Sequence, residues 1–149
     1  GAPILFTAGE DLNPATRAYL ANHDIETLFV IGGTDVVSVT AVSMAASYVG
    51  SVERLSGPDR YMTCRAVVDR FFTEDPLTCM GFATGLNFPD ALAGASFCAD
   101  EGGPLFVTRP EQLTLQEYIE TRNRPNEVFL FGGEDVLPIG AAYDIEECW

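Results

Sequence analysis

The chain has 149 residues, 47% of them hydrophobic and 20% charged, a size and balance that suit one folded domain and exclude extended disorder. Twenty-two carboxylates face eight cations, all of them arginine, and the formal net charge of -14 makes most of the surface repel nucleic acid and anionic membrane. No run of about 18 apolar residues occurs, so no membrane-spanning helix is expected, and Gly1-Ala2-Pro3 carries neither an initiator Met nor a basic n-region, so a processed or cloned start is expected.

Short apolar runs bounded by turn residues predict buried strands at residues 4–7, 28–31, 80–84, 105–108 and 128–131. Helical patterns fill the gaps. Residues 16–22 follow the first strand, and residues 39–48 follow the second with Ser38 as N-cap. Residues 60–72 place Tyr61, Cys64, Val68 and Phe71 at helical spacing. Residues 89–99 begin with proline, which suits a helix start, and residues 115–122 and 139–147 complete the set. Alternating strand and helix predict an α/β fold: a mainly parallel sheet of about five strands, with right-handed crossovers placing helices on both faces.

The chain repeats itself. Gly1-Ala2-Pro3-Ile4-Leu5-Phe6-Thr7 returns as Gly102-Gly103-Pro104-Leu105-Phe106-Val107-Thr108. Leu28-Phe29-Val30-Ile31-Gly32-Gly33-Thr34-Asp35-Val36 returns as Val128-Phe129-Leu130-Phe131-Gly132-Gly133-Glu134-Asp135-Val136. A period of roughly 100 residues gives one and a half units, with residues 1–50 as the second half of one repeat and 51–149 as a complete one. The segment 52–58 is too short and mixed to act as a linker, so a single α/β domain over residues 1–149 is expected.

Four motifs occur in order: Arg54-Leu55-Ser56-Gly57-Pro58-Asp59-Arg60-Tyr61, then Ala83-Thr84-Gly85-Leu86-Asn87-Phe88-Pro89-Asp90-Ala91-Leu92-Ala93, then the Gly-x-Pro apolar run ending at Thr108, then Gly132-Gly133. Together they resemble the type 2 cell-wall-binding repeat of bacterial surface proteins, over nearly the whole chain. The resemblance implies an extracellular, wall-associated module whose ligand is an anionic secondary wall polymer. It also implies neighbouring repeats or self-association as partners, because such repeats usually occur in threes. In that family the stretch matching Ile4-Leu5-Phe6 and Leu105-Phe106-Val107 is associated with polymer binding, whereas the residues themselves read as buried strand.

Five residues are candidates for ligand contact: Arg54, Arg60, Thr84, Asn87 and Asp90. The two arginines flank a Gly-Pro turn and offer planar forks for phosphate or carboxylate. The alternative is an ion pair with Asp59 or Asp90 that holds the turn. Thr84 ends a strand and Asn87 and Asp90 open a helix, on the side where α/β folds bind ligands. Helix-end amides can hold an anion, but a carboxylate in the first turn already satisfies the helix end, so capping is the favoured reading of Asn87 and Asp90. Gly32-Gly33 and Gly132-Gly133 suit tight strand-to-helix turns, with Asp35 and Asp135 as caps of the next helix.

Catalysis finds no support. His23 is the sole histidine, no serine or cysteine sits in a nucleophile elbow, and the carboxylate pairs stand in polar surroundings. Neither metal nor cofactor is expected, since no cysteine pair has CxxC spacing. Cys64, Cys79 and Cys98 occupy apolar positions and read as buried thiols, and Cys148 beside Trp149 reads as exposed and able to pair between chains. The leading expectation is a non-catalytic wall-binding module. The rivals are a surface interaction or oligomerisation domain that keeps the fold, favoured by the acidic charge, and a small-molecule-binding α/β domain.

Overall fold

The computed structural model describes residues 2–7, 10–109, 119–137, 140, 145, 147 and 148. The chain divides into two compact units, Gly1–Pro58 and Asp59–Trp149.

The first unit contains α1 (Pro14–Ala21), β1 (Thr27–Ile31), α2 (Val39–Ala46) and β2 (Ser51–Leu55). Each helix starts where its local chemistry directs. Asn13 accepts from the amide of Ala15 at 2.9 Å, with proline at the first helical position of α1. Ser38 accepts from the amide of Ala41 at 3.0 Å and so caps α2, leaving no such part for Asp35. Strands β1 and β2 pair in parallel from Thr27↔Ser51 to Ile31↔Leu55. Leu12, Leu20 and Ala45 form the core, with Leu5, Ile25, Leu28, Met44 and Val49 packed against it.

Two sequence expectations need correction here. Ser51–Leu55 is a strand, where a joining segment is predicted. Residues 4–7 form no strand, and Ile4 and Phe6 are each 83% exposed. The second unit supplies the reason. There the repeated segment Leu105–Thr108 pairs with Cys79–Thr84. Among the described residues, no strand pairs with residues 4–7 in this way. Backbone groups without a ladder need other partners. Thr16 Oγ1 donates to the carbonyl of Phe6 at 2.6 Å, and Thr7 Oγ1 accepts from the amide of Asn13 at 3.1 Å.

The second unit contains α3 (Arg60–Phe71), β3 (Cys79–Thr84), α4 (Pro89–Asp100), β4 (Leu105–Thr108) and β5 (Glu127–Phe131). The sheet order is β4-β3-β5, all parallel, with every residue of β3 buried. Side chains alternate across β3, as strand geometry requires. Gly81 and Ala83 face α4, and a Cβ on Gly81 would come within 2.3 Å of Cys98 Sγ. Gly94 in α4 meets the same surface, where a Cβ would lie 2.6 Å from Leu105 and Phe131. Glycine on both elements permits this close approach. Phe97 closes the seam edge-on to Phe129, ring centroids 4.9 Å apart.

The opposite face carries the main core. Val68 from α3 packs with Leu77, Met80, Phe82, Phe106, Ile119, Ile145 and Cys148. Phe82 and Phe106 stack at 5.5 Å. Burying each such aromatic stabilises the unit by about 1.5–3 kcal/mol. Cys148 is therefore buried and not exposed as the sequence suggests, because its amide donates to the carbonyl of Ile145 at 3.2 Å and the turn folds it onto the core. The predicted helices at 115–122 and 139–147 lie largely outside the described residues. Among the described residues, no helix is long and apolar enough to cross a membrane.

Candidate functional site

The chain leaves β3 on one side to form β4 and crosses back to form β5 on the other. Strand order thus reverses about β3, and its carboxyl end is where open α/β sheets place ligands. Thr84 ends β3, in register with Thr108 at the end of β4, and both are buried. Gly85 continues the ladder by donating to the carbonyl of Thr108 at 2.7 Å. Thr84 Oγ1 accepts from the amide of Leu86 at 3.3 Å, which turns the chain away from the sheet.

Two guanidinium groups meet this turn. Asp59 caps α3 by accepting from the amide of Met62 at 2.8 Å, and so starts the helix at Arg60. Arg60 Nη1 donates to the carbonyl of Gly85. The next residue, Tyr61, is buried with its ring against Gly85, where a Cβ would lie 2.6 Å from Tyr61 Cε1. Arg109 follows β4 and sets its guanidinium over the Tyr61 ring, 4.7 Å from the centroid. Two of the chain's eight cations are thereby gathered around Thr84-Gly85, in a chain of net charge -14.

Asn87 and Phe88 are exposed beyond the turn, and α4 begins at Pro89 without a side-chain cap bond from Phe88. Asp90 lies in the first turn of α4, its Oδ2 3.3 Å from where a Cβ on Gly132 would stand. A carboxylate there interacts favourably with the helix end. Gly132 has φ +136, a conformation suited to glycine. Arg60 opens α3, Thr84 ends β3, Asn87 lies in the turn that follows and Asp90 in the first turn of α4, all within the second unit.

Arg54 belongs to the first unit. It donates to the carbonyls of Gly32 at 2.6 Å and Val37 at 2.9 Å, bracing the turn between β1 and α2. For both arginines the partners seen here are backbone carbonyls, while Asp59 serves its own helix.

Sequence reasoning missed Arg109 and the part played by Tyr61. The available signal was position: Arg109 directly follows a strand whose last residue pairs with Thr84. A separate depression of about 300 Å³, lined by Phe71, Phe72, Glu74, Leu77, Thr78 and Gly102, sits by the amino ends of β3 and β4, away from these arginines. Among the described residues no group of three or more His, Cys, Asp or Glu could hold a metal ion.

Comparison with known proteins gives this geometry its context. The family model described as Cell wall binding domain 2 (CWB2) matches residues 54–140, more than half the chain. The chain is 31% identical over 112 residues to the amidase enhancer of Bacillus subtilis (strain 168), covering 75% of this chain and 15% of that protein. It is 29% identical over 128 residues to the N-acetylmuramoyl-L-alanine amidase LytC of the same organism, covering 85% of this chain and 25% of that one. It therefore spans a quarter or less of the length of either relative. Among solved structures, Cwp6 from Clostridium difficile superimposes with a TM-score of 0.83 at 21% identity, covering 93% of this chain and 22% of that chain. Cwp8 from the same organism gives 0.72 at 20% identity, covering 94% and 24%. Both share the fold. The chain belongs to the Cell wall binding domain 2 family and is a cell-wall-binding module of that kind.

Proposed function

We infer that this module is a non-catalytic, extracellular anchor that recognises an anionic secondary polymer of the cell wall. The observation that carries the reading is the placement of Arg60 and Arg109 about the Thr84-Gly85 turn, where strand order reverses. Guanidinium forks suit phosphate or carboxylate on a polymer, and a cationic site on an acidic body excludes misplaced contacts with the same polyanion. Thr84, Asn87 and Asp90 form the rim of the proposed site, and Asp90 restricts it by repelling anions that reach α4. Arg54, in the first unit, holds the Gly32–Val37 turn there and is proposed as a separate ligand contact of that unit. The amidase named among the relatives is matched over only a quarter of its length, and its activity is assigned to that protein alone.

Sedimentation with purified walls tests the reading. Walls carrying their anionic polymer should pull the chain down at low and moderate salt, and walls stripped of it should not. Arg60→Gln and Arg109→Gln should each weaken binding roughly tenfold or more, with unchanged circular dichroism. Failure to sediment with either wall at both salts overturns it.

A second reading, a surface interaction domain, draws on the first unit. Ile4, Phe6, Ile31, Val36 and Val39 are all exposed there, at 48–83%. Concentration-dependent association in light scattering, without wall binding, would favour this reading.

A further inference from the structure

Cys79 opens β3 and Cys98 stands in the last turn of α4, and both side chains are fully buried. Cys79 Sγ lies 3.9 Å from the carbonyl oxygen of Cys98, and the two thiols are hydrogen-bond neighbours of each other. Glycine on either side makes room for this contact. A Cβ on Gly81 would stand 2.3 Å from Cys98 Sγ, and one on Gly103 would stand 2.5 Å from Cys79 Sγ. Strand and helix thus close upon each other with two sulfurs in the gap. The remaining cysteines belong to the other face of the sheet. Cys148 lies in the core with Val68 and Phe106, and Cys64 packs against that cluster.

We propose that Cys79 and Cys98 form a redox pair, a dithiol that closes to a disulfide when the chain folds in an oxidising medium, and that the bond latches α4 onto β3. The biological setting rests on the surface location inferred above, because disulfides persist in oxidising compartments. The chemistry needs a disulfide oxidant, for which glutathione disulfide is the probe. One cysteine thiolate attacks it, forming a mixed disulfide and releasing one glutathione thiolate. The second cysteine thiolate attacks the protein sulfur of that bond and expels the other glutathione. Two protein thiols are oxidised, one small disulfide is reduced to two thiols, and the two protons pass through solvent from the protein thiols to the glutathione thiolates. In the folded chain, burial pushes both thiols up, Cys98 to about 11, so exchange there is slow. Closure therefore belongs to folding, before α4 covers β3. The latched helix is the one whose first turn carries Asp90, so the bond steadies one wall of the proposed site.

The test is to refold the full chain from denaturant with reduced and oxidised glutathione, and separately with dithiothreitol. Each sample is then denatured, alkylated and mapped by peptide mass. The glutathione sample should show Cys79 linked to Cys98, with Cys64 and Cys148 alkylated. Its melting midpoint should lie roughly 5–10 °C above that of the dithiothreitol sample. Cys64→Ala should keep both effects, and Cys98→Ala should melt alike under either condition. Four alkylated cysteines after oxidative refolding, or a linkage through Cys64 or Cys148, overturns the pair. A linked pair with an unchanged or lowered midpoint overturns the latch. The wild-type comparison stands even if a variant does not fold, and no wall binding enters it, so its failure is distinct from failure of the anchoring reading.

Discussion

Nearly the same sequence takes two structures in the two units. Leu105–Thr108 is a strand with Phe106 and Thr108 buried and Val107 half-buried, whereas residues 4–7, with the same Gly-x-Pro start and Thr finish, form no strand, leave the equivalent Leu5 and Thr7 only half-buried, and expose Phe6, the counterpart of Val107, to 83%. Phe131 packs against α4, whereas its repeat equivalent Ile31 is 48% exposed. The local sequence is equivalent in both units, and what differs among the described residues is the packing, which β3 and α4 supply in the second unit. Strand formation here is a property of the pairing, in line with the dependence of β-structure on its neighbours.

The sharpest way to break the comparison is to remove the fit between α4 and β3. Gly94→Leu drives a side chain into Leu105 and Phe131, which already stand 2.6 Å from a bare Cβ. It should cost more than about 3 kcal/mol and unfold the second unit, read by urea denaturation. Gly33→Ala, with nothing within 4 Å of the new methyl, should be close to neutral. Next in size, Phe106→Ala should destabilise by about 3–5 kcal/mol, and Phe6→Ala by no more than about 0.5 kcal/mol. Hydrogen exchange would assign each change to its unit. Comparable losses for the two variants would sink the claim that residues 4–7 lack a sheet environment. The smallest effect sharpens the contrast from the other side. Ser38→Ala and Asp59→Ala each delete one N-cap bond, of 3.0 and 2.8 Å, and should each cost about 1 kcal/mol. Caps are local, so the two units should agree here even though they disagree at their strands.

The same division explains what could be read from the sequence. Ser38, Pro89 and the spacing of Tyr61 and Val68 announce helices because capping and helical periodicity operate within a few residues. The apolar runs ending at Thr84 and Thr108 announce strands whose partners are present. Residues 4–7 carry the same signal, but among the described residues no strand pairs with them. Ser51–Leu55 fails for the opposite reason: Glu53 and Arg54 interrupt its apolar pattern, and its ladder to β1 sustains it. Cys148 owes its burial to the core around Phe106, more than 40 residues distant. Of the proposed site, motif position singles out Arg60 and Thr84 as candidates, while Arg109 becomes a candidate only once Thr108 is paired with Thr84.

Arg60 and Arg109 are both already held, one by the carbonyl of Gly85 and the other by the ring of Tyr61. A long side chain tethered in advance has little rotational freedom left to surrender when it meets an anion. Such pre-ordering acts on dissociation more than on encounter. Replacing Tyr61 with leucine, which removes the ring beneath Arg109, should therefore shorten the lifetime of a bound polymer while leaving its rate of arrival nearly unchanged.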